Sequence, residues 1–214
     1  MKIKKPLVII FDRKYLKRTI VNSALLTVAI IGLWAGSVYE PTAVALLSHK
    51  DGLNALQSVH MVSYATGILS IGTILGCILL PLLAERTGRR TALAVYFAVT
   101  LVSIILSFGW SFYLPGGLAV FVVILFFLGL GGGNFAAFSL WLPEQYGTNV
   151  RATAFAFCTS VGRFIGAIVT FVIGAMVKAF GTLGTPVAWT SVAFLIGLAI
   201  IPLALEAKGT TLPE

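Results

Sequence analysis

Six stretches of twenty or more residues run along this chain with hardly a charge, separated by short segments where Pro, Gly and charged side chains gather. Within each stretch the apolar positions are continuous, without the every-second-residue alternation of a barrel strand, so each reads as a helix that is apolar all round. About 20 such residues cross the hydrocarbon of a bilayer. The pattern predicts membrane-spanning helices over Ile20–Tyr39, Ser58–Leu83, Thr91–Trp110, Leu118–Trp141, Thr153–Val177 and Pro186–Leu205. Breaks are expected at Glu40-Pro41, at Leu114-Pro115-Gly116-Gly117 and at Gly181-Thr182-Leu183-Gly184. The expected organisation is a basic segment over 1–19, a six-helix transmembrane bundle over 20–205 and a short tail over 206–214, an all-α membrane protein.

Composition supports the same solvent. Apolar residues make up 58% of the chain and charged residues 10%, and the mean hydropathy is +1.01; a soluble domain carries about 25% charged residues. The net charge of +8 does not point to nucleic acid, because seven of the fifteen basic residues (Lys2, Lys4, Lys5, Arg13, Lys14, Lys17, Arg18) stand just before the first apolar span. That is the placement of a cytoplasmic flank facing anionic lipid. With the N-terminus inside, Arg86, Arg89, Arg90, Arg151 and Lys208 join those seven on the cytoplasmic side, against Lys50 and Lys178 outside. This positive-inside bias predicts both termini in the cytoplasm. Cys77 and Cys158 fall inside spans and are expected as unpaired thiols.

Arg163 is the charge left over, inside the fifth span. Twelve residues beyond Arg151, it lies about 18 Å into the helix, near the bilayer centre, where an Arg costs about 2.5–3.5 kcal/mol on insertion scales. Thr159, Ser160, Gly166, Ala167 and Thr170 surround it, while Ala154, Val161, Ile165, Ile168 and Val172 are expected on the opposite, lipid-facing side. It either meets a substrate anion or a coupling ion, or it bonds backbone carbonyls of a neighbouring helix. In the second span Ser63, Thr66, Ser70, Thr73 and Cys77 form one polar stripe, suited to helix packing through small residues or to an aqueous path. Trp34 in the first span sits too deep for a simple interfacial belt and is a candidate cavity residue, whereas Tyr39 is expected as an interface anchor. Glu40 and His60 are expected on an exposed rim. In the fourth span, Gly129-Leu130-Gly131-Gly132-Gly133-Asn134 with Phe135, Phe138 and Trp141 either borders a site or packs closely, with Asn134 bonding between helices.

Neither a G-x-S-x-G, an H-E-x-x-H nor a metal-ligand cluster occurs, and the triple glycine has no preceding strand or following Lys to make a phosphate loop. The chain reads as a non-enzyme without cofactor.

Two loops carry family signatures. Pro81-Leu-Leu-Ala-Glu85-Arg86-Thr-Gly88-Arg89-Arg90 resembles the G-x-x-x-D-R-x-G-R-R loop of the major facilitator superfamily. Leu142-Pro143-Glu144-Gln-Tyr-Gly-Thr148-Asn-Val-Arg151-Ala-Thr153 resembles the P-E-x-x-P-T-x-x-R-[AG]-T signature of its sugar-porter and aromatic-acid:proton symporter branches. Gly32-Leu33-Trp34-Ala35-Gly36, Val161-Gly162-Arg163 and the tail Glu206-Ala-Lys208-Gly209 with Leu212-Pro213-Glu214 are similar to those branches too. Pro81, Glu85 and Gly147 depart from the signatures. The resemblance implies the C-terminal six helices of a twelve-helix fold, one half built as a 3+3 inverted repeat. It implies proton-coupled symport of a small organic anion across a bacterial inner membrane. The bilayer, the substrate and protons would be partners, together with a second six-helix half or another copy of the chain. Arg163, Asn134, Trp34, Phe138 and Ser70 are the candidate substrate contacts. Glu85, Arg86, Gly88, Arg89, Arg90, Glu144 and Arg151 are the candidate gate, either latching the helix ends or serving as positive-inside anchors. A truncated or partner-dependent membrane protein without transport activity of its own is the alternative.

Overall fold

The computed structural model describes residues 6–206, apart from the side chains of Ala35 and Gly36. Lys2, Lys4 and Lys5 of the basic segment, and the tail from residue 207 with Lys208, Gly209 and Leu212 to Glu214, lie outside the described residues. A helical turn over Pro6–Ile9 leads into six long helices: α1 Leu16–Lys50, α2 Ala55–Thr87, α3 Arg89–Tyr113, α4 Leu118–Glu144, α5 Arg151–Phe180 and α6 Gly184–Leu203. There is no strand among the described residues. With their apolar side chains facing outward over most of their length, these helices make the chain an integral, multi-pass membrane protein.

The largest difference from the sequence expectation is in α1, which runs straight through Glu40-Pro41 to Lys50. A proline removes one backbone hydrogen bond, but in a membrane helix neighbouring helices and side chains can re-satisfy the freed group. Tyr39 is therefore no edge anchor: its hydroxyl donates to the Thr170 carbonyl of α5 at 3.0 Å. Glu40 is not on a rim either, being 1% exposed. The other breaks fall where expected, with Gly116 and Gly181 at φ +65°. α2 starts on a capping box in which Asn54 and Gln57 each accept from the other's backbone N–H. It ends at Gly88, whose φ of +97° lets α3 begin at the next residue. That left-handed backbone is open to glycine and strained for other residues, which accounts for the glycine of the first loop signature.

α2 packs along α4 as α5 packs along α1, α3 meets α4 as α6 meets α1, and α3 and α6 meet each other. Exchanging α1 with α4, α2 with α5 and α3 with α6 maps this pattern onto itself, as a three-plus-three repeat requires. The α2–α4 seam closes backbone to backbone. A Cβ on Gly72 would stand 2.2 Å from the Phe126 carbonyl oxygen, and one on Gly129 would stand 2.0 Å from that of Leu69. Aromatic edges fill the core, with Phe97 on Phe194 at 5.3 Å and Phe108 on Phe121 at 5.2 Å between ring centroids.

Burial is uneven. In the most apolar window of α1, 69% of the residues are buried, against 22% in α2 and 17% in α5. These two pseudo-symmetry mates are the helices left uncovered.

Candidate functional site

The polar stripe of α2 lies on its uncovered side. Ala65, Gly72, Gly76, Leu80 and Ala84 form the buried face, so the packing reading of the stripe gives way: glycine does the packing, while Ser63, Thr66 and Ser70 are exposed and Thr73 and Cys77 half-buried. The Ser70 hydroxyl donates to the Thr66 carbonyl at 2.8 Å, within its own helix. Thr66 points its hydroxyl at α1, donating to the Glu40 carboxylate at 3.0 Å to Oε2. Among the described residues this carboxylate enters no ion pair, and it lies about 15 Å inside the Lys50 end of α1.

On α5 the buried face comprises Ala154, Cys158, Thr159, Gly162, Gly166 and Ile173. Ala154 thus packs inward instead of facing lipid, because the helix turns its Gly162–Gly166 edge onto Leu26, Ile30 and Trp34 of α1. Arg163 flanks this edge and is exposed. Trp34 is half-buried, with its ring 3.3 Å from where a Gly166 Cβ would stand, one turn beyond Arg163. Arg163, Trp34 and Ser70 therefore belong to the uncovered side of the bundle.

Asn134 and Phe138 do not join them. Phe138 is fully buried in the core. Asn134 lies where α4 divides into Leu118–Gly132 and Phe135–Glu144. It is 1% exposed, and its amide oxygen and nitrogen have no hydrogen-bond partner among the described residues. It does not bond between helices as the packing alternative supposed, and the glycines before it supply the contact instead.

The charged loops meet at the opposite end of the bundle from Lys50. Arg89 grips Glu144 with two parallel bonds, Nη2 to Oε1 at 2.9 Å and Nε to Oε2 at 3.2 Å, a geometry that fixes direction as well as distance. Glu206 accepts from the backbone N–H groups of Arg89 and Arg90 at 3.0 and 3.1 Å, placing a carboxylate at the positive end of α3. Arg90 donates through Nη2 to the Ala204 carbonyl. Arg151 secures its own loop, Nε to the Tyr146 carbonyl at 3.3 Å. Glu85 and Arg86 are exposed at the end of α2.

A buried polar network at this end escaped the sequence reading. Asn22 donates to Gln145 Oε1 at 3.1 Å, Arg18 Nη1 to the Gln145 carbonyl at 2.6 Å, and the Thr19 hydroxyl lies 3.1 Å from the Tyr146 hydroxyl. Burial pushes the Tyr146 hydroxyl above the ordinary tyrosine range, with Thr19 acting weakly the other way. Trp141 Nε1 donates to the Leu205 carbonyl at 2.8 Å. The partners lie more than sixty residues apart, so local sequence carries no sign of the pairing.

The chain is similar to known proteins along most of its length. It is 28% identical over 201 residues to the "Probable 4-methylmuconolactone transporter" of Cupriavidus pinatubonensis, covering 94% of this chain and 44% of that protein. It is 28% identical over 188 residues to the niacin transporter NiaP of Acinetobacter baylyi, covering 84% and 40%. Among solved structures, the proton:xylose symporter XylE bound to 6-bromo-6-deoxy-D-glucose superposes with a TM-score of 0.76 at 18% identity, over 89% of this chain and 45% of that one. No protein-family model matches. The chain spans less than half the length of these curated relatives.

Proposed function

The chain belongs to the major facilitator superfamily, with the fold of one six-helix half, and on that premise we propose that it works as the C-terminal half of a proton-coupled symporter for a small organic anion. One observation carries the reading: the two least-covered helices, α2 and α5, turn Ser63, Ser70 and Arg163 outward at membrane depth. Polar groups in hydrocarbon are costly, whereas the same groups facing a water-filled crevice between two bundles are not. A second six-helix bundle would cover this side, in keeping with relatives more than twice as long.

In that crevice Arg163 supplies the counter-charge for a carboxylate, with Trp34 beside it as an apolar wall. Glu40 is the proton carrier. It is buried with no cation beside it among the described residues, and through Thr66 it is bonded to the helix that carries the outward stripe. Binding a proton there removes a buried charge, so proton uptake and the arrangement of α1 against α2 are coupled. Arg89–Glu144 is the latch at the other end. A charge-assisted bond contributes about 1.5–3 kcal/mol, and a two-state gate needs a bias of a few kcal/mol. The basic residues gathered at this end support its lying on the cytoplasmic side of a bacterial inner membrane. Similarity to a probable 4-methylmuconolactone transporter and to a niacin transporter supports a small organic substrate, niacin being itself a carboxylic acid.

The test is flux. Reconstituted with the six-helix half that completes it, the protein accumulates labelled nicotinate or benzoate when the outside is acid. Failure to carry either under a proton gradient, alone or completed, would leave a membrane protein without transport activity of its own.

A further inference from the structure

Beyond the proposed crevice, the bundle holds a second polar cavity of about 380 Å³ at the Arg89 end, lined by Arg13, Lys14, Lys17, Arg18 and Arg90, with a wall of residues 202–205 at the end of α6. We infer that this cavity binds the phosphate headgroup of one anionic phospholipid, independently of what the protein carries.

Five cations from two parts of the chain, residues 13–18 and the start of α3, converge here, and among the described residues no acidic side chain lines the cavity. The nearby carboxylate of Glu206 is engaged by the backbone N–H groups of Arg89 and Arg90. Like charges so close repel one another, and a single anion relieves them all at once. Two of the cations are held in place. Arg18 is fixed by its bond to the Gln145 carbonyl and Arg90 by its bond to the Ala204 carbonyl, which leaves further N–H groups of each planar fork for a ligand. The Arg90 Nε is itself buried and without a partner among the described residues.

The apolar surroundings select a lipid over a free anion. Leu16 and Ile20 on α1 and Leu203 and Leu205 at the end of α6 are 39%, 59%, 56% and 39% exposed. They give acyl chains a surface beside the cations. The cavity is large enough for a phosphodiester headgroup, and it lies at the helix ends, where headgroups lie. Each basic group near an anionic membrane surface strengthens binding by about 1 kcal/mol, so a charge gathered into a pocket retains lipid where a dispersed one does not.

The experiment uses the whole chain, purified in neutral detergent and stripped of lipid, with phosphatidylglycerol, phosphatidylcholine or inorganic phosphate added back. Native mass spectrometry counts bound lipid, and thermal unfolding reports stabilisation. One phosphatidylglycerol is expected to bind and to raise the unfolding temperature, with phosphatidylcholine and phosphate doing neither. Arg13→Gln with Lys17→Gln weakens phosphatidylglycerol binding at least ~10-fold. Lys50→Gln with Lys178→Gln, which removes the same charge at the far end, leaves it unchanged. Equal affinity in the two double variants, equal binding of phosphatidylcholine, or a full shift from phosphate alone would overturn the assignment.

Discussion

The Glu40 carboxylate accepts a hydrogen bond from the Thr66 hydroxyl at 3.0 Å, joining the most enclosed helix of the bundle to one of the two least enclosed. One residue earlier, Tyr39 joins α1 to the other of them through the Thr170 carbonyl. Adjacent side chains thus tether α1 to both helices that would face a second bundle.

If Glu40 carries the proton, Glu40→Gln keeps a partner for Thr66 and loses the titrating group. In the completed transporter, uptake driven by a pH gradient should fall at least ~10-fold, the loss of one essential proton-transfer group. Counterflow of labelled against unlabelled substrate should stay near wild type. Gradient-driven uptake that survives the substitution would remove Glu40 from the coupling.

The sequence made six spans plain, because continuous apolar runs of this length have few other physical readings. The burial of Glu40 is hidden because a Glu-Pro pair ordinarily marks a helix end, although apolar residues continue from Ala43 to Leu47 on the far side. That continuation was the signal. The sequence could not separate glycines that break α4 from glycines that let α2 approach it. Gly129 does the second, while Gly133 does both, standing at the division of the helix and against Gly76 of α2. Arg163 was legible as a misfit charge, yet which flank of α5 it shared depended on how α5 turns against α1.

The Arg89–Glu144 pair should behave as a coupled unit. Both side chains are mostly shielded, 14% and 18% exposed. In a double-mutant cycle of Arg89→Gln and Glu144→Gln on thermal stability, the coupling should be about 1.5–3 kcal/mol. A coupling near zero would make the pair an ornament of the loop and remove it from the gate.

Backbone contact makes the α2–α4 seam intolerant of a methyl group. Gly72→Ala forces the helices apart and should destabilise by about 1–3 kcal/mol. Gly67→Ala, also inside α2 but with nothing within 4 Å of the added Cβ, should be neutral or stabilising by about 0.5–1 kcal/mol. Unfolding in detergent measures both.

Tyr146 sets an alkaline limit. Its raised folded pKa, compared with the ordinary value of 10.0, means that its stabilisation is complete below pH about 10 and is lost as pH rises through the folded pKa, since only the unfolded chain ionises freely in between. Thermal stability should decline above pH about 10. Tyr146→Phe should flatten that decline while losing about 1 kcal/mol at neutral pH with the Thr19 bond.

The transport pathway requires Arg163 to face water in the completed transporter. In a Cys77→Ala, Cys158→Ala background, an impermeant thiol reagent should label Arg163→Cys rapidly. Val102→Cys, on the outward apolar surface of α3, should stay unlabelled. An Arg163→Cys protein as inert as Val102→Cys would contradict the crevice and the transport pathway built on it.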